Sequence, residues 1–134
     1  MIFKSYELKK INLDKSNIIL FYGNNDQHKE DELKLLIADN IISNFDQNEI
    51  IENHQIFFED IYNISLFEDK KIIVVKRVSD KILKIVQNID LGKIGNTTII
   101  FISDILEKKS KLRVEFEKNK NLICVPFYPD NKDT

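Results

Sequence analysis

The chain has 134 residues, 43% of them hydrophobic and 31% charged, with a formal net charge of −2. That composition suits one soluble domain with a real core, and the charge gives no overall field to draw in DNA or an anionic membrane. No apolar run approaches the ~20 residues that span a bilayer. The opening "MIFKSYELKK" is charged where a signal peptide is apolar, and a lone Cys124 excludes an internal disulfide framework and fits a reducing cytoplasm.

Hydrophobic periodicity switches repeatedly between strand-like and helix-like. "NIILFYG" (17–23) is a continuous apolar run ended by glycine, the pattern of a strand buried on both faces. Leu33, Leu36, Ile37, Ile41 and Phe45 then recur at helical spacing, behind Asn25 or Asp26 as cap and with Glu30, Asp31 and Glu32 complementing the helix dipole. "NEIIENHQIF" (48–57) is expected to be a second strand, and "FEDIYNI" a short helical turn with Phe58, Ile61 and Tyr62 as its apolar stripe.

"KKIIVVKRV" (70–78) predicts a third, buried strand. Ser79 is placed to cap a helix with Ile82, Ile85, Val86 and Ile89 on its apolar face. "GNTTIIFIS" predicts a turn and a fourth strand, Ser110 a short basic helix carrying Leu112 and Phe116, and "NLICVPFY" (121–128) a fifth strand. Strands alternating with helices imply an α/β fold: a five-stranded, mainly parallel sheet flanked by helices, within a single domain over 1–134.

In such a sheet the usual ligand site lies at the carboxyl ends of the strands. A phosphate-binding loop there reads G-x-x-x-x-G-K-[ST]. This chain offers Gly23-Asn-Asn-Asp-Gln-His28-Lys29-Glu30, with His28 in place of the second glycine and Glu30 in place of the Mg²⁺-binding hydroxyl. His28 blocks close backbone approach, and the acidic residues 30–32 repel phosphate. After "IIVV", where a working ATPase wants acids for Mg²⁺, stand Lys76 and Arg77. The expectation is a degenerate, non-functional P-loop with Lys29 as a solvated first-turn residue, no catalytic residue and no cofactor.

His28 and His54 lack metal-ligand spacing, so no metal is expected, and Cys124 reads as a buried strand residue. Lys108, Lys109, Lys111 and Arg113 form the compact basic cluster. Ile, Asn and Lys are abundant throughout, a bias typical of AT-rich coding, so the cluster reads as a solvated face. "SLF" (65–67) stands out more. Leu66 and Phe67 are adjacent, so they cannot both follow a helix stripe inward, and Glu68, Asp69, Lys70 and Lys71 hold the following turn in solvent. An apolar pair rimmed by charge suits an anchor for a partner's pocket.

Taken in order and spacing, "IILFYG", "SLF", "KKIIVVKRV", "TTIIFISD" and "KKSKLRVEF" resemble the N-terminal domain of the delta subunit of bacterial DNA polymerase III, part of the clamp loader. The resemblance covers Asn17 to Phe127. It implies a P-loop NTPase (AAA+)-like fold without ATPase activity, in a non-catalytic subunit of a DNA-directed DNA polymerase. It further implies binding to the ring-shaped sliding clamp, with Leu66 and Phe67 as a plug that helps open the ring and Ser65 and Ile64 beside it. Delta subunits continue into lid and collar domains that join the other loader subunits. The chain is therefore expected to be a fragment that keeps clamp contact, loses stable assembly, and meets DNA only indirectly or weakly. Two alternatives stand beside this reading: a P-loop-like nucleotide-binding enzyme using Lys29, and a direct DNA-binding module using Lys108 to Arg113.

Overall fold

A computed structural model describes residues 1–12, 15–38, 40–63 and 70–128. The strands are β1 (Asn17–Tyr22), β2 (Ile41–Asp46), β3 (Lys71–Lys76), β4 (Thr97–Ile102) and β5 (Ile123–Pro126). All four pairings are parallel, in the order β2-β3-β4-β1-β5. This is neither the 3-2-1-4-5-6 order of dinucleotide-binding sheets nor the 2-1-3-4-5 order of flavodoxin-like ones. The helices are α1 (Asp26–Ile37), α2 (Gln47–Glu52), α3 (His54–Tyr62), α4 (Leu83–Gln87) and α5 (Lys111–Lys118), with 3₁₀ turns at Ser5–Lys10, Asp80–Ile82 and Leu91–Lys93.

The central strands are buried on both sides because they are apolar at consecutive positions. In β1, Ile18, Leu20 and Tyr22 enter one core layer, while Ile19 and Phe21 enter the other. α2, α3, α4 and α5 cover the first layer through Ile50, Phe57, Ile61, Ile85, Leu112 and Phe116. α1 and the first 3₁₀ turn cover the second through Leu33, Leu36 and Leu8. Each such side chain contributes roughly 1.5–3 kcal/mol on full burial.

The structure corrects two expected elements. The segment 48–57 is not a strand: Asp46 caps α2 by accepting from Asn48 N, and α3 follows directly. Phe57 and Ile61, both at 0% exposure, lie four residues apart on one face of α3, and Ile50, also at 0%, is the buried anchor of α2, so burial along two short helical faces dominates the local β-branched residues. The first helix also stops earlier than its period suggests. It ends at Ile37, Ala38 takes a positive φ of 34°, and Ile41–Asp46 forms the edge strand β2. Phe45 fits a helical spacing from Leu33, yet it packs edge-on against Phe57 instead, with ring centroids 5.4 Å apart. The other edge is shielded, since Phe3 N donates to Cys124 O and Cys124 N to Met1 O. Among the described residues, no helix is long and apolar enough to cross a membrane.

Candidate functional site

α1 leaves β1 toward one layer, and α5 follows β4 on the other, so the carboxyl ends of β1 and β4 flank a switch-point crevice. A cleft of about 340 Å³ opens there, lined by Asp26, Lys29, Glu30, Lys76, Arg77, Ile102, Ser103 and Asp104. Lys29 and Glu30 of the degenerate phosphate loop thus share the cleft with the basic pair after β3, whereas Gly23 and His28 do not line it.

The loop between β1 and α1 is too short to cradle a phosphate. α1 begins at Asp26, after only three intervening residues, inside the stretch that would have to remain loop. Asn25 caps it, its side chain accepting from His28 N at 3.1 Å. Phe127 ties this turn through its backbone: its N donates to Tyr22 O at 2.7 Å, and its carbonyl accepts from Asn25 N at 3.4 Å. Gly23 makes this approach feasible, because at its φ of 124° a Cβ would sit 1.9 Å from Phe127 O. Gly23 N itself donates to Asp104 O at 3.0 Å. His28 stands edge-on to the Phe127 ring, 4.9 Å between centroids, with Nε2 3.5 Å from Glu32. Glu30 is exposed on the cleft rim.

Lys29 is the largest departure from expectation. It is 5% exposed rather than solvated. Its ammonium donates to Gly23 O at 2.8 Å and Ser103 O at 3.0 Å, and lies 3.1 Å from Asp26 Oδ1 and 4.0 Å from Asp104 Oδ1. Ser103, at the end of β4, is 74 residues away in sequence, so local charge pattern carried no trace of the contact. Of the basic pair, Lys76 is exposed, and Arg77 takes a positive φ of 56° and pairs with Asp46.

The basic cluster divides. Lys108, Lys109 and Lys111 are exposed. Arg113 turns inward instead, its guanidinium over the Tyr22 ring at 5.0 Å, bonded to Leu106 O and Glu117. Cys124 is buried as expected, and burial pushes its thiol up to about 12. Among the described residues, no group of three or more His, Cys, Asp or Glu side chains could hold a metal ion.

Ile64, Ser65, Leu66 and Phe67 lie outside the described residues. Their flanks are held. Lys71 Nζ, at the start of β3, bonds both the carbonyl and the carboxylate of Asp60 in the last turn of α3. The Tyr62 hydroxyl accepts from Asp90 N at 3.0 Å. The buried stripe of α3 is Phe57 and Ile61, with Phe58 and Tyr62 half-buried against it and stacked on each other, so Phe57 joins the three residues expected there.

No protein-family model matches the chain, and no curated protein resembles it significantly.

Proposed function

We propose that this chain is a non-catalytic, AAA+-like module of the clamp-loader delta-subunit type, which binds a sliding clamp through Leu66 and Phe67 and helps open the ring. The observation that carries the reading is the Ser65-Leu66-Phe67 sequence, set between a helix and a strand whose ends are tied by Asp60 and Lys71, while Phe57 and Ile61 already supply the buried stripe of that helix. The strand-end crevice supports the non-catalytic part. It offers a capped helix and a buried lysine paired with carbonyls where triphosphate binding needs an open, amide-lined loop. The proposal extends to the other clamp-loader subunits as partners, through domains beyond this chain, with DNA met indirectly.

The test is a binding measurement against the organism's own sliding clamp. Leu66 and Phe67 contribute roughly 1.5–3 kcal/mol each on full burial, so Leu66→Ala with Phe67→Ala is expected to weaken binding at least ~100-fold. The melting temperature should stay nearly unchanged. Unaltered clamp affinity overturns the reading, and so does a large loss of stability, which would make the pair core residues. Calorimetry with ATP tests the nucleotide-enzyme alternative: Mg²⁺-dependent affinity would reinstate it.

A further inference from the structure

The crevice between β1 and β4 has the opposite polarity from an anion site. Phosphate-binding turns point backbone N–H groups inward. Here the N–H groups of Gly23 and Asn25 are engaged by the carbonyls of Asp104 and Phe127, while the carbonyls of Gly23 and Ser103 converge on the Lys29 ammonium. Asp26 adds a carboxylate oxygen at 3.1 Å, and Asp104 a more distant one. A primary ammonium carries three N–H donors, and the crevice presents three oxygens between 2.8 and 3.1 Å. A guanidinium, planar and forked, would not match so compact a set.

We infer that the switch-point crevice is a primary-ammonium site which the chain fills with its own Lys29. The side chain acts as a tethered ligand, joining the turn after β1 to the end of β4 where related sheets leave room for a substrate. The proposal is independent of the clamp reading, and clamp binding is not its readout.

The experiment removes the tether and supplies the ligand. Lys29→Ala leaves space for n-propylammonium, which restores the missing carbons and the charge. The variant is expected to melt below the parent protein and to regain stability saturably with n-propylammonium. The rise should be roughly 3–6 °C at ten times the dissociation constant. The unaltered protein should show no such rise. Neither 1-propanol, which lacks the charge, nor tetramethylammonium, which lacks donors, should substitute, and sodium chloride controls for ionic strength. Equal rescue by propanol, or none by the amine, overturns the inference. Lys29→Met keeps the stem without the ammonium and should fall as far as Lys29→Ala; a Met variant with parental stability also overturns it. If Lys29→Ala does not fold in plain buffer, recovery of its circular-dichroism signal on adding n-propylammonium becomes the readout, and absence of recovery counts against the site.

Discussion

The two ends of the sheet handle their polar groups in contrasting ways. At the carboxyl end, ties join different strand ends: Lys29 to Ser103, Gly23 to Asp104, Phe127 to Tyr22, and Asp80 to Ser110. At the amino end Asn17 is tied to Thr98 and Tyr62 to Asp90, but the tie immediately beside the Leu66-Phe67 segment is local, Asp60 to Lys71 across eleven positions. The end where α/β sheets usually hold a ligand is thus satisfied by the chain itself. The short-range tie instead fixes the two points from which residues 64–69 depart. Long-range ties carry global stability, whereas a local tie governs one connection, and substitutions should separate the two.

Gly23→Ala should have the largest effect. Its Cβ would come 1.9 Å from a backbone oxygen of Phe127, which cannot swing aside as a side chain could, and the φ of 124° is strained for any L residue. The expected loss is about 4 kcal/mol or more, seen as a collapse of the melting transition. A Gly23→Ala protein that melts normally would mean that the carboxyl end tolerates opening.

How far these regions were legible in the sequence follows from the range of their contacts. β1, β3, β4 and β5 declare themselves as continuous apolar runs because they are buried by neighbours on both faces. β2 does not, since it is an edge strand with Ile42 and Asn44 exposed and its Phe45 also fits the period of α1. α2 and α3 were obscured by a break at Asn53, which resets the helical register, so Ile50 on one side and Phe57 and Ile61 on the other share no single period. At the site, the three-residue loop could be suspected from Asn25 as a cap. The burial of Lys29 could not, because it depends on a carbonyl supplied by another strand.

Asp80 offers a second, smaller break at the carboxyl end. Its carboxylate accepts from Ser110 Oγ at 2.5 Å, from Leu112 N at 3.2 Å and from Lys111 N at 3.3 Å, completing the N-terminus of α5. The Ser110 hydroxyl, followed by the two amides, holds its pKa below the ordinary 3.8, against an opposing desolvation. A carboxylate whose folded pKa is depressed contributes stability that is whole above the unfolded value and lost as pH falls through the folded one. Asp80 is exposed and its charge is screened by solvent, so the expected cost of Asp80→Ala at neutral pH is that of losing a helix cap, about 1–2 kcal/mol. The gap from the parent protein should narrow below pH 3.8 in acid-dependent melting curves. A gap unchanged down to strongly acid pH would show that the carboxylate is not what secures α5.

The smallest expected effect on stability is also the most informative about function. Asp60 and Lys71 are partly buried, with side chains 24% and 16% exposed, and Lys71 also holds the Asp60 carbonyl. Asp60→Asn removes the charge while leaving an oxygen for Lys71, so the domain should lose only about 1 kcal/mol. On the proposed clamp-binding reading, if the tie serves to set the departure points of the Leu66-Phe67 segment, clamp affinity should fall several-fold more than this stability change accounts for, mainly through faster dissociation. The Leu66 and Phe67 side chains are unchanged by the substitution, so the loss would be in the cost of ordering rather than in contact chemistry. Lys71→Met should reproduce the loss, and the double substitution should add little to either single one, because both act through one contact. Strict additivity in clamp affinity would instead mean that the two residues touch the partner separately, and the amino-end tie would then be part of the interface rather than its support.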